Sequence, residues 1–200
     1  MFEPVEIELD ELKIAAYVPI NQFSEGVNYL SESELSEPKL RSKKLDALLV
    51  SSNVLNQTKQ LITSCQHSDT LLLVFDNPSN DMSAVSRVIE NLMAKLLSHE
   101  MPNNLDIVDL RNLSESSDFL FAFDNHSAAC DFLDAQNLGK VVGGVHLAHK
   151  VTELSQYEIA TNQLLDRFPD TAYLCASIYN DGVGESTTVI GIKSVRSRSR

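Results

Sequence analysis

The stretch that decides the fold runs from Asp69 to Leu97, DTLLLVFDNPSNDMSAVSRVIENLMAKLL. Its first part, Thr70 to Phe75, is a short apolar run. A run of that length bounded by turn residues fits a strand buried on both faces of a parallel sheet. It stops at Asp76-Asn77-Pro78, a turn sequence. The second part is helical. Met82, Val85, Ile89, Leu92 and Leu96 recur at spacings of three and four and make one apolar stripe, widened by Val88, Met93 and Leu97. Arg87, Glu90, Asn91 and Lys95 fall on the polar face. The stripe is too short for a coiled coil and suits a helix packed within a domain. Pro102 and the two asparagines after it close the helix.

Reading outward toward the N-terminus, Leu45 to Val50 is a second buried strand and Leu12 to Val18 a third. Ser52 is placed to cap a helix that reaches about Cys65. Gln22 to Leu30 reads as a short helix, and the polar, Pro38-bearing stretch Ser31 to Lys44 as a connection. Toward the C-terminus, Asp106 to Leu113 is a short helical pattern and Phe119 to Phe123 a strand. Ser127 to Ala135 is a helix and Val141 to Ala148 a strand. Ser155 with Glu158 forms a capping-box pattern that opens a helix carrying Tyr157, Ala160, Leu164 and Phe168 on one face, ended by Pro169. Thr171 to Tyr179 alternates, Asn180 to Glu185 is a glycine-bearing loop, and Thr187 to Ile192 returns as a strand, so the pair reads as a hairpin. The class is α/β: a partial N-terminal β-α-β portion, a long core helix, and a C-terminal α/β portion with a terminal β-hairpin.

Composition narrows the function. The chain has 200 residues, 43% apolar, with 16 basic and 28 acidic residues for a net charge of −12. A duplex nucleic-acid binder needs a basic footprint, which this chain lacks. Its basic cluster, Lys193, Arg196, Arg198 and Arg200, sits at the C-terminus and reads as a tail. Front-loaded acids from Glu3 to Glu37 read as a solvated face. Cys65, Cys130 and Cys175 are unpaired in spacing, which argues against a disulfide scaffold and a thiolate zinc site. No apolar run approaches the roughly 20 residues of a membrane span. Met1 to Asp10 alternates acid and apolar residues, unlike a signal peptide, so the expected location is the cytoplasm.

Glycine is the sharpest count. Of seven glycines, only Gly26 precedes residue 139. Loops that cradle phosphates need glycine, because backbone must approach the ligand closely and adopt positive φ. The first two thirds therefore hold no P-loop or GxGxxG turn of the usual kind. No cofactor is expected.

The order of elements resembles the FtsZ/tubulin superfamily, in a truncated and divergent form lacking the glycine-rich nucleotide loop. Asp69 to Asn77 is similar to that family's last nucleotide-domain strand, roughly "VDTLIVIPN". The Met82 to Leu97 helix stands where the family's core helix does. Asn104-Leu105-Asp106-Ile107-Val108-Asp109-Leu110-Arg111 is similar to its synergy-loop motif, "NLDFADVR". Leu154 to Ile192 is similar to its final helix and β-hairpin, with Thr188-Val189-Ile190-Gly191-Ile192 against "VTVIATG". The resemblance covers roughly residues 45 to 193. It implies residues 1–80 as a reduced nucleotide-domain-like portion, 81–103 as a connecting core helix, 104–193 as the C-terminal-like domain and 194–200 as a basic tail. The departures are the missing "GGGTGTG" loop and the missing "MGxGxAxGExR" stretch, where Asp124-Asn125-His126 stands instead. The chain ends soon after the last strand, with no linker and tail peptide of the family's kind.

In that family one subunit binds GTP and the next inserts its synergy loop, whose carboxylates position the attacking water. The resemblance therefore implies an interaction surface at Asn104, Asp106, Asp109 and Arg111, without catalysis. The implied partner is a complete FtsZ subunit or filament, which this chain caps or regulates. Its own oligomeric state is not indicated by the sequence. Read from the residues alone, acids in a helix's first turn favour the positive end of its dipole, and Asn104 or Asp106 serves equally as a cap. Two other readings stay open: a stand-alone α/β domain that binds a ligand or protein and shares only the fold, and a divergent cytoskeletal protein with a reduced nucleotide site.

Weaker candidates lie elsewhere. On a strand, His146 and His149 point to opposite faces, which disfavours a metal pair. His126 and Cys130 are i and i+4 on a helix, where Cys130 reads as core rather than nucleophile. Gly143-Gly144 inside a strand reads as a bulge or tight packing.

Overall fold

The computed structural model describes residues 11–18, 27–53, 58–98 and 104–195. In chain order they form β1 (Ile14–Tyr17), a 3-10 turn (Glu32–Glu34), α1 (Glu37–Lys43), β2 (Ala47–Ser51), α2 (Thr58–His67), β3 (Leu71–Asp76) and α3 (Met82–Leu97). There follow α4 (Ile107–Ser116), β4 (Phe119–Phe123), α5 (His126–Ala135), β5 (Gly139–Ala148), α6 (Leu154–Leu165), β6 (Tyr173–Ile178) and β7 (Ser186–Ser194). The class is mixed α/β, as the apolar runs and the α3 stripe predict.

All the strands join one sheet in the order β1-β2-β3-β4-β7-β5-β6. β1 to β4 are parallel, as the unbroken runs in β2 and β3 require. Helices cover both faces. α3 and α4 pack on one face, with Leu92, Met93, Leu110 and Leu113 against Leu49, Phe75, Ala122 and Val189. That core is continuous from β1 through β7, so residues before 81 and after 103 share one sheet and one apolar layer. On the opposite face, α1 and α2 cover the N-terminal strands through Leu40, Leu61 and Cys65. α5 covers the C-terminal strands through Ala129, Cys130 and Leu133, joined by Leu164 of α6 and by Phe168.

α3 matches its sequence pattern at both ends. Asp81 caps it, accepting from Ser83 N at 2.9 Å and Ala84 N at 3.0 Å. Its buried face includes Val85, Val88, Ile89, Leu92 and Leu96.

Several local expectations are corrected. Ser31 to Lys44 is not a plain connection: it holds the 3-10 turn and α1. Pro38 sits in the first turn of α1, where its missing N–H costs nothing, and the helix ends at Lys44 in the left-handed region (φ 49°). Val27 to Leu30 is not helical. Leu30 N donates to Ala16 O at 2.8 Å and Ala16 N to Asn28 O at 2.9 Å, so this segment lines the open edge of β1; residues 22–26 of that expected helix lie outside the described residues. α2 is described from Thr58 onward; the expected capping turn after Ser52 falls on 54–57, outside the described residues, and the Ser52 hydroxyl donates to Asp76 Oδ1 at 2.8 Å. Ser155 is not a cap either, because α6 begins at Leu154 with Glu153 as its capping position. Pro102 and the tail arginines lie outside the described residues.

The terminal hairpin is also absent. β7 does not pair with β6; it runs antiparallel between β4 and β5, while β6 lies parallel to β5 at the sheet edge. Burial explains the choice. β7 is buried from Ser186 to Ile192, which suits a central strand, whereas most of β6 is only half-buried. The Val141/Gly143 register shift lies on β5, where Gly143 makes room for the Tyr173 ring and Gly144 for Phe168.

Candidate functional site

The Asn104 to Arg111 motif forms the first turn of α4. Asp106 is the N-cap: its carboxylate accepts from Val108 N at 3.0 Å, and the Asp109 carboxylate accepts from Asp106 N at 3.0 Å. The two acids thus cap one helix end reciprocally, with Glu replaced by Asp in the usual pattern. Asn104 Nδ2 donates to Ser98 O at 3.3 Å, tying the motif to the end of α3. Asn104, Asp106 and Arg111 are exposed, Asp109 is half-buried, and Leu105 anchors the turn in the core. The inner side of Asp109 approaches β6. Burial pushes the Cys175 thiol up to about 11, and the nearby Asp109 carboxylate adds to the shift.

A second constellation lies at the carboxyl ends of β4 and β5, the end of a parallel strand set where α/β ligands gather. A cavity of about 220 Å³ opens there, lined by His126, His146, His149, Tyr157, Glu185 and Ser186 among others. His146 and His149 do not diverge as a continuous strand would make them. β5 ends at Ala148, so His149 stands just past the strand, and both rings line the same cavity. His126 is brought in by α5, whose N-cap Asn125 accepts from Ala128 N at 3.0 Å. Its ring meets that of His146 edge-on at a centroid distance of 5.7 Å.

Each imidazole is held by its neighbours. His146 Nδ1 lies 2.9 Å from Thr188 Oγ1. His149 Nδ1 donates to Gly184 O at 3.4 Å, and Thr187 Oγ1 donates to His149 Nε2 at 3.2 Å. His126 Nε2 donates to Gln163 Oε1 at 2.9 Å. Burial holds His146 far below the ordinary histidine value, at about 3, and lowers His149 as well. At neutral pH both rings are uncharged. Three side-chain atoms of the lining are buried without a partner: His126 Nδ1, His146 Nε2 and Ser186 Oγ. Among the described residues, no group of three or more His, Cys, Asp or Glu side chains is arranged to hold a metal ion. Cys130 stands 3.5 Å from His126 Nε2, but it is buried in the α5 core and burial raises its thiol pKa, the opposite of an activated nucleophile.

Strand-and-helix reasoning misses this cluster because its members belong to separate elements. The available signal is positional: His126 follows the end of one strand, and His146 and His149 straddle the end of another.

Among the described residues, no helix is long and apolar enough to cross a membrane. No family model matches the sequence, and no curated protein matches it. Among solved structures, CetZ from Methanosaeta thermophila is similar over 94% of this chain and 62% of that one, at 11% identity and a TM-score of 0.49. The chain therefore spans less than two thirds of the length of the structure it matches.

Proposed function

We propose that this chain is a non-catalytic FtsZ-like protein that docks on FtsZ filaments through Asn104, Asp106, Asp109 and Arg111 and ends growth at that face. The observation that carries the reading is the exposed, acid-capped turn of α4 directly after α3, on a chain with one glycine before residue 139. A carboxylate that is anionic at neutral pH and solvent-facing can reach a water or a cation in a partner's nucleotide face. Without a glycine loop of its own, the chain offers the next subunit no phosphate cradle.

The test is co-sedimentation with a complete FtsZ, with and without GTP. Sub-stoichiometric loss of polymer is expected, and Asp106→Ala with Asp109→Ala abolishes it. Asp81→Ala serves as the control, since it removes a helix cap of the same kind on α3, away from the proposed surface. Equal loss of effect in the control and the double variant, or wild-type behaviour in the double variant, overturns the proposal. Micromolar binding of a fluorescent GTP analogue favours the divergent nucleotide-binding reading instead.

A further inference from the structure

Buried polar atoms in folded proteins find partners, because an unpaired one has lost its hydration without replacement. Around the cavity at the end of β5, three do not: His126 Nδ1, His146 Nε2 and Ser186 Oγ. His146 is 1% exposed and Ser186 4%, so bulk water does not supply what the protein withholds. Partners within the fold are already committed, His146 Nδ1 to Thr188 and His126 Nε2 to Gln163. Three unmet hydrogen-bonding atoms on residues that line a single space are the mark of a ligand site.

We propose that this cavity binds a small planar molecule with several N–H donors, an amidine or an amino-substituted ring, independently of any filament docking.

Size sets the first limit. A cavity of about 150 Å³ admits benzene, so the 220 Å³ here takes one substituted ring. Hydrogen-bonding sense sets the second. Gln163 Oε1 accepts only, so His126 keeps its proton on Nε2 and offers the lone pair of Nδ1. Thr188 Oγ1 is able to accept from or donate to His146 Nδ1, so His146 Nε2 offers either a lone pair or an N–H. His149 is fully used by Gly184 and Thr187 and acts as wall. Glu185 adds a carboxylate, one oxygen of which accepts from Asn125 Nδ2 at 2.9 Å. The lining residues thus supply one fixed lone pair and a carboxylate, beside a His146 Nε2 and a Ser186 hydroxyl that take either role. Such a lining attracts N–H donors and repels an anion. Burial keeps His146 neutral, so the lining gains no cationic charge from it at physiological pH. The ring of Tyr157 and the side chain of Val151 give the flat, apolar part of the ligand its contact.

The test uses the full chain, labelled with 15N in its five histidines. It is titrated with benzamidine, benzamide and benzoate, which share a shape and differ in charge and donor count. Benzamidine is expected to move the His126 and His146 ring resonances saturably while surface His67 stays still, with benzamide weaker and benzoate silent. Ser186→Ala should weaken benzamidine by about fivefold, the cost of one hydrogen bond. Glu185→Gln, at the exposed rim, should weaken benzamidine and leave benzamide unchanged; it keeps the test open if Ser186→Ala does not fold. Benzoate binding as well as benzamidine, no saturable change at His126 and His146 with any probe, or full affinity in both variants overturns the proposal.

Discussion

Asn91 of α3 donates a side-chain N–H to Thr187 Oγ1 of β7 at 2.9 Å, across 96 residues of sequence. The same amide donates to Val183 O at 2.8 Å and accepts from Val183 N at 2.9 Å. One side chain therefore fixes both the start of β7 and the loop before it, and through Thr187 it reaches His149. The residue is 3% exposed, so these bonds are made out of water.

Asn91→Ala leaves the Val183 N–H and carbonyl and the Thr187 hydroxyl without this partner. A loss of about 1–3 kcal/mol is expected, the cost of an unmet polar group, because the Thr187 side of the network is buried while Val183 is exposed to water. The exposed Asn112→Ala should stay within about 0.5 kcal/mol. Urea midpoints of the two variants check this, and equal midpoints would show that the Asn91 network adds nothing.

Gly182 sits against the His149 imidazole, and a Cβ at 182 would fall inside its van der Waals surface. The ring cannot swing away easily, because Gly184 and Thr187 hold both its nitrogens. Gly182→Ala is expected to destabilise by about 1–3 kcal/mol, the cost of overpacking. Thermal melts measure it, and the His149 ring resonances should shift in the same variant.

The buried histidines make stability depend on pH. His146 titrates near 3 in the fold against 6.5 when exposed, so a proton favours the unfolded chain. Its stabilisation is whole above about pH 6.5 and is lost as pH falls toward 3, at about 1.4 kcal/mol per pH unit for one proton. His149 is shifted the same way. His146→Gln, which cannot take that proton, should show a flatter fall between pH 6.5 and the carboxylate range. An unchanged slope would mean that His146 is solvated in the folded chain.

The caps at Asp106 and Asp109 have a stability cost separable from docking. Asp106→Ala should cost about 1 kcal/mol, as should Asp81→Ala on α3, because each removes acceptors for first-turn N–H groups. Denaturant unfolding of both variants tests the equivalence. A much larger loss at Asp106 would make the acid pair chiefly structural.

The sequence by itself determined which segments are strands and helices wherever one periodicity ruled. The α3 stripe is bounded by a strong cap, and the short runs of β2, β3 and β4 have no helical alternative at that length. It also determined that the acids of the α4 turn stand at a helix start, because capping is a local bargain between residues three apart. Tertiary structure alone decided the place of β7. Its loop fits a hairpin, but burying both its faces required a seat between β4 and β5. Tertiary structure likewise decided the histidine cavity. His126, His146 and His149 meet only because β4 and β5 end on the same side of the sheet, with β7 between them, and no local pattern encodes that proximity.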